Sequence, residues 1–379
     1  MWLCCLLFCL ILLRDTGSWI YVPKPLLFAF SVLVLFVGPG LAIIGWKPLR
    51  VLLFSLALAG LIALILSGSP TGTGSVRQQR RAAVFSICFT ALMLAVVLAY
   101  PPVVVGHGAV ATTRNFYGVL TVKSDTFGGS PALTLYHGRI IHGLQFREET
   151  KKRTPTSYYA PQSGIGLVLT NYPGRAAGRP LRIGIIGLGA GTVAAYGIPG
   201  DHMRFYEINP EVVRIAYSGP QRMFTFLTDS RANVEVVLGD ARISLEQELK
   251  RNEIQDFDVL MIDAFSGDAI PVHLLTQEAF QLYLRHLSKP NGILAFHVSN
   301  QALDLSPIVA RLAAESNMSA WLALSNPGIA GSRSMWVITA ALNRDGPVPG
   351  AEHMTQFAPN SHLPLWTDDY SNLLRVLRW

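Results

Sequence analysis

Leu181-Arg-Ile-Gly-Ile-Ile-Gly-Leu-Gly-Ala-Gly-Thr192 is the stretch on which the fold turns. Four of its first six residues are aliphatic, the composition of a strand buried on both faces. The run breaks at Gly187-Leu-Gly-Ala-Gly191, where small residues let backbone N–H groups approach a ligand closely. This reads as a βα turn that holds a nucleoside, although a plain tight turn has the same glycines. The residues that follow strengthen the first reading. His202-Met-Arg-Phe-Tyr-Glu-Ile208 reads as a second strand ending in Glu207, about twenty residues after the glycines, where a carboxylate can accept both ribose hydroxyls. Asn209-Pro210-Glu211 then supplies an N-cap, a proline for the first helical turn and an acid near the positive end of the helix dipole.

Working outward, strands and helices alternate from residue 163 to the C-terminus. Helices are expected at 163–169, 212–217, 274–287 and 308–315, and strands at 234–238, 257–262, 293–298, 320–324 and 335–340. That alternation predicts an α/β fold with a mostly parallel sheet covered on both faces. Before it, residues 116–123 and 132–146 alternate as strands, with turns at Gly128-Gly129 and His137-Gly138. A small antiparallel layer over the nucleoside site is expected there, with 106–113 as a linker. No internal repeat interrupts the pattern.

The remaining third of the 379 residues is different in kind. Residues 26–45, 51–66 and 82–105 are apolar and uncharged, near the ~20 residues that cross a bilayer, and they lift the mean hydropathy to +0.36. Three transmembrane spans are expected, and residues 1–13 read as a partial or fourth span in preference to a signal peptide. The expected division is therefore 1–105 transmembrane, 106–160 antiparallel β, and 161–379 nucleoside-binding. All four cysteines (Cys4, Cys5, Cys9, Cys88) fall in the apolar part, so the rest carries neither disulfide nor cysteine metal site. The net charge of +7 is spread along the chain, with one tight group at Lys151-Lys-Arg153. This favours solubility or anionic lipid over nucleic acid as its meaning. Basic residues flanking the spans are nearly balanced, so the positive-inside rule does not orient them. A nucleoside made in the cytosol places the catalytic part on that side.

In an open α/β sheet ligands bind beyond the carboxyl ends of the strands. Those ends give the glycine turn, Glu207, Gly239-Asp240-Ala241 and Asp263-Ala-Phe-Ser-Gly-Asp268. Three strands ending in carboxylates at one rim repel one another unless a cation or donors lie between them, so a positively charged ligand fits.

Together with these, Arg114-Asn-Phe-Tyr-Gly118, the run His137-Gly-Arg-Ile-Ile-His-Gly-Leu-Gln145, Tyr158-Tyr159 and Thr367-Asp-Asp-Tyr-Ser-Asn372 resemble the membrane-attached members of the spermidine synthase family. The resemblance covers residues 113–379. It implies a class I methyltransferase-type Rossmann domain that binds decarboxylated or intact S-adenosylmethionine, transfers an aminopropyl group to a small-molecule amine and releases methylthioadenosine, with no metal. A homodimer is compatible with it. By that resemblance Gly187, Gly189, Gly191, Glu207 (ribose), Asp240 and Ala241 (adenine) and Gln145 bind the cofactor. Asp263 faces the reacting amine, with Asp268 as a second catalytic acid. Tyr158, Tyr159, His142, Trp336 and Asp368 line the acceptor. Plainer readings stand beside these: a helix-entry acid for Glu207, a turn for Asp240, a backbone cap for Asp263, hairpin residues for His137 and His142, core packing for Tyr158, Tyr159 and Trp336, a solvated turn for Asp368 and Asp369. The chain departs from the family at Ala190, where soluble members carry an aspartate, at Ala160, where they carry a glutamate, at Gly118, where a glutamine is expected, and at Ser266, which holds the spacing of their second acid. These losses of anionic contacts count against a polycationic acceptor and the decarboxylated cofactor, and leave open a methyltransferase and a non-catalytic nucleoside-binding membrane regulator.

Overall fold

The structure, a computed structural model, describes residues 108–378 except 139, 221, 265–270 and 326–332. The expected spans, and Asp268, lie outside the described residues. Among the described residues no helix is long and apolar enough to cross a membrane.

Two sheets lie within one compact unit, Gly108–Trp379. The first is antiparallel and four-stranded, β1 (Ala109–Asn115), β2 (Gly118–Phe127), β3 (Ser130–His137) and β4 (Ile140–Phe146), paired in sequence order. The expected linker is largely strand: residues 109–115 alternate between half-buried and exposed and pair with β2, as an edge strand does. Beyond it the expected hairpins form, turning at Gly128-Gly129 and Gly138, all with positive φ.

The second sheet has eight strands: β5 (Arg182–Ile186), β6 (His202–Glu207), β7 (Asn233–Leu238), β8 (Val259–Ile262), β9 (Ile293–His297), β10 (Met318–Ser325), β11 (Ser334–Ala341) and β12 (Thr355–Gln356), in the order β12-β10-β11-β9-β8-β5-β6-β7. Strands β5 to β9 run parallel, while β11 and β12 are antiparallel to their neighbours. The order reverses between β5 and β8, which opens the crevice where such sheets bind ligands. The aliphatic runs of β5, β8 and β9 feed two cores, one on each face: Ile183, Ile185, Val259 and Met261 on one, Ile186, Leu260, Ile262 and Leu294 on the other.

The helices expected from the sequence are present as α1 (Gly164–Asn171), α2 (Pro210–Ala216), α5 (Gln277–Arg285) and α6 (Ser306–Glu315). Ser163 and Asn209 cap the first two through their side chains. Two more, α3 (Phe226–Asp229) and α4 (Ala241–Lys250), lack a strong sequence signal. One expectation is corrected: the glycine turn opens no α-helix. A single 3-10 stretch, Thr192–Tyr196, follows it, because Gly197-Ile-Pro-Gly200 ends the segment within a turn. The turn therefore lacks the helix dipole that favours phosphate, and a ligand without phosphate loses nothing by that.

At the amino ends of the strands, acids are consumed structurally. Asp201 accepts from Arg175 at 2.6 and 2.7 Å and from the backbone of Leu181 and Ile198, both at 2.9 Å. Asp258 accepts from Arg182 N at 2.9 Å and Arg179 at 3.1 Å.

Candidate active site

The glycine turn is clasped from two sides. Asp263 N donates to Ile186 O at 2.8 Å, fixing the end of β8 beside the turn, and Ala190 N donates to His142 O at 3.1 Å, fixing β4 above it. Gly187 (φ +99°) and Gly189 (φ +53°) allow this approach. A Cβ on the first would run into the Asp263 carbonyl, and one on the second would lie 2.6 Å from the His142 carbonyl. Gly191 (φ +80°) is similarly closed, against Leu227.

A cleft opens at this clasp. Gly187, Gly189, Glu207, Asp240, Ala241 and Asp263 all line it, as does His142 from the antiparallel sheet. The small sheet thus roofs the site as expected. Side chains staple it there: Asn115 Nδ2 donates to Asn209 Oδ1 at 2.6 Å and Thr113 Oγ1 to Glu211 Oε2 at 3.0 Å.

Each carboxylate has a distinct setting. Glu207 is buried and accepts from Leu188 N at 2.9 Å and Asn209 N at 2.7 Å. Desolvation raises its pKa, and the N–H groups of Asn209, Leu188 and Ile208 oppose the rise. Asp240 is the N-cap of α4, accepting from Ile243 N at 3.0 Å, and its other oxygen lies 3.1 Å from His273 Nε2. Asp263 accepts from the Tyr159 hydroxyl and from His297 Nδ1, the latter at 2.6 Å, and the loop that it could cap lies largely outside the described residues. Burial, with the Asp263 charge beside it, pushes the Tyr159 pKa well up, so this hydroxyl stays protonated and donates.

His297 was not singled out by the sequence, although it ends β9 and the rule of strand ends extends to it. Its ring is stacked between Tyr158 (centroids 4.5 Å, 16°) and Trp336 (4.7 Å, 27°), and Trp336 Nε1 donates to Tyr158 O at 3.2 Å. Tyr158, Tyr159 and Trp336 therefore stand behind Asp263 as a buried aromatic wall and do not line the cleft. Two expected site residues are placed elsewhere. Gln145 spends its amide on Thr225 N at 2.8 Å, Thr225 Oγ1 at 3.0 Å and Lys152 O at 3.0 Å, so it bolts β4 to the loop before α3. Asp368 is paired with Arg242 at 2.7 and 2.6 Å and accepts from Thr276 at 2.8 Å, which neutralises it away from the cleft. Gly118 explains one departure: a Cβ there would meet His137 Nε2 at 2.5 Å, the nitrogen that lies 2.7 Å from Tyr117 O.

The lining suits a cationic ligand. It carries three carboxylates, and among its described residues no lysine or arginine. Two residues of the lining each carry a buried polar atom without a partner among the described residues, Asn209 Nδ2 and His142 Nε2. Buried polar atoms are ordinarily paired, so each is one that a ligand could satisfy. No group of three or more metal-type ligands occurs among the described residues.

No protein-family model matches the chain. A polyamine aminopropyltransferase of Vibrio vulnificus is 38% identical over 119 residues, which is 31% of this chain. The chain spans 37% of the length of that relative. Among solved structures, a probable spermidine synthase of Corynebacterium glutamicum superposes with a TM-score of 0.46 at 17% identity, over 69% of this chain and 98% of that one. A protein-(glutamine-N5) methyltransferase of Alicyclobacillus acidocaldarius gives 0.25 at 13% identity, over 46% and 90%.

Proposed function

We propose that this chain is an aminopropyltransferase that takes decarboxylated S-adenosylmethionine and an amine, and releases methylthioadenosine. The observation that carries this reading is the cleft itself: Glu207, Asp240 and Asp263 surround one glycine turn with no lysine or arginine in the described lining. Intact S-adenosylmethionine would bring a carboxylate for which this lining offers no cationic partner, whereas the decarboxylated form is cationic throughout its tail. The stretch 38% identical to a polyamine aminopropyltransferase supports the same choice.

The chain's own groups divide the work. Glu207 would hold the ribose hydroxyls, Asp240 and the Ala241 backbone the adenine edge, and the Gly187–Gly191 turn the sulfur side. The bound sulfonium supplies an activated carbon, so the protein needs only to orient an uncharged amine toward it and exclude water. Asp263, locked by Tyr159 and His297, is the anion that draws the amine in. The roof formed by β1 to β4 covers one side of the cleft. Residues 26–45, 51–66 and 82–105 support attachment to a bilayer, with this unit on the cytosolic side.

Mass spectrometry of the nucleoside product tests the reading. Full-length protein given decarboxylated S-adenosylmethionine and a panel of small amines is expected to yield methylthioadenosine. Formation of S-adenosylhomocysteine from the intact cofactor, and of nothing from the decarboxylated one, would replace it with a methyltransferase.

A further inference from the structure

The turn Thr367-Asp-Asp-Tyr-Ser-Asn372 does not line the cleft, yet it is bonded to the segment 271–276 at the cleft's lip. Thr367 and Tyr370 each donate the backbone N–H to the other's carbonyl, at 2.9 and 3.2 Å, and Trp366 before them is buried in the core. Asp368 stands on this turn. Its carboxylate accepts from Arg242 Nη1 and Nη2 at 2.7 and 2.6 Å and from Thr276 Oγ1 at 2.8 Å, and its own N–H donates to Glu278 Oε2 at 3.0 Å. Arg242 follows Asp240 and Ala241 at the start of α4 and donates from the same Nη1 to His273 O at 3.0 Å. His273 Nε2 in turn lies 3.1 Å from Asp240 Oδ2, and Pro271, His273 and Leu274 line the cleft together with Asp240 and Ala241. One chain of contacts thus runs from the C-terminal turn to Asp240.

We propose that this turn is a positioning element of the nucleoside site: through Arg242, Asp368 holds His273 against Asp240 and so fixes the carboxylate that reads the amino group of an adenine base. The proposal rests on the nucleoside reading and names what sets its selectivity for the base. As a stabiliser the Arg242–Asp368 pair adds little, because the Asp368 side chain is 41% exposed and water screens it. What a two-pronged guanidinium–carboxylate contact supplies is direction. Hydrogen bonds from Arg242 hold the Asp368 carboxyl below its ordinary value, so the pair stays ionised at neutral pH.

Without His273, Asp240 would be anchored at one oxygen only. Ile243 N, at the entry to α4, donates to Oδ1 at 3.0 Å. A carboxylate only accepts, so His273 presents Nε2–H to Oδ2. Held at both oxygens, the carboxylate keeps its remaining lone pairs in one direction. A 6-amino base donates into them, whereas a 6-oxo base sets its carbonyl oxygen against the charge and is refused. Neither Asp368 nor Arg242 lines the cleft, so both act through His273. Releasing Arg242 from Asp368 loosens the imidazole and leaves the Ile243 bond in place. The carboxylate can then turn about its Cβ–Cγ bond, and part of the refusal is lost.

Titration calorimetry of the full-length protein with methylthioadenosine and its 6-oxo counterpart, methylthioinosine, tests this. The wild type is expected to bind the 6-amino form about thirtyfold more tightly or better. Asp368→Ala should lower that ratio about fivefold or more, while Asp368→Glu, which keeps a carboxylate for Arg242, should hold it within about twofold. Asp369→Ala, one residue along, should leave it unchanged. A merely structural role would weaken both nucleosides by one factor and leave the ratio where it was. His273→Ala removes the last link at a half-exposed side chain and should also lower the ratio about fivefold or more, which decides the matter where Asp368→Ala does not fold. A ratio unchanged in Asp368→Ala or in His273→Ala, or lowered as far by Asp369→Ala as by Asp368→Ala, would overturn the proposal. Equal binding of the two nucleosides by the wild type overturns it and leaves the nucleoside reading standing. If the wild type binds neither, the nucleoside reading itself falls, and the two failures are thereby told apart.

Discussion

Glu207→Gln is the most searching single change, because the structure states what each carboxylate oxygen does. Oε2 accepts from Leu188 N inside the glycine turn and Oε1 from Asn209 N at the entry to α2. A glutamine satisfies one of these and turns an NH2 toward the other, so one buried N–H loses its acceptor at a cost of about 1–3 kcal/mol of folding stability. The ribose loses a charged acceptor at the same time. Hydrogen bonds to charged groups contribute about 1.5–3 kcal/mol, and at 1.4 kcal/mol per decade this weakens methylthioadenosine binding by about 10- to 150-fold. Titration calorimetry gives the affinity and urea unfolding the stability. The sharper measurement is a cycle with the 2′-deoxy nucleoside. Wild type should prefer the ribo form and the variant should not, with a coupling of about 1 kcal/mol or more. If both nucleosides weaken equally in the variant, Glu207 supports the turn and does not touch the ribose, and the placement of the sugar argued above is refuted.

Other perturbations separate binding from catalysis and from folding. Asp263→Asn places an amide where His297 Nδ1 and the Tyr159 hydroxyl both donate; turnover should fall about 10²- to 10⁴-fold while methylthioadenosine affinity, read by calorimetry, changes less than about threefold, within the scatter of unrelated sites. Arg175→Ala strands the buried Asp201 carboxylate, and urea unfolding should show a loss of about 3–5 kcal/mol with the affinity of whatever remains folded unchanged. The pH dependence of stability should carry the mark of Glu207. An acid whose pKa is higher folded than unfolded holds its proton more tightly when folded, so its contribution to stability is unfavourable once ionised. Unfolding free energy should rise as pH falls from the folded pKa toward the ordinary 4.5 and level off below it. Comparing wild type with Glu207→Gln across that window isolates the effect, and the absence of a difference in slope would contradict it.

The parts of the site legible in the sequence were those set by position along a strand. A residue at the carboxyl end of a parallel strand is placed at the rim by the pleat alone, so Glu207, Asp240 and Asp263 could be read from the order of elements, and all three reach the cleft. The helices capped by Ser163 and Asn209 were legible for the same local reason. The partners of Gln145 and Asp368 were not legible because they are remote: Thr225 lies 80 residues from the first, and Arg242 126 from the second. Only the folded sheet brings those groups together.

The same accounting decides which acids are for ligands. Asp201 and Asp258, at the amino ends of strands, each have an arginine as well as backbone N–H groups, so their charge is matched within the chain. Glu207, Asp240 and Asp263, at the carboxyl ends, have N–H groups, a hydroxyl and imidazoles, and among the described residues neither arginine nor lysine. Two rims of one sheet thus carry acids with opposite completeness. Charge left unmatched in a buried cleft is costly unless something cationic enters it. The difference between the rims is therefore the strongest reason to place a sulfonium nucleoside and an amine at the second one.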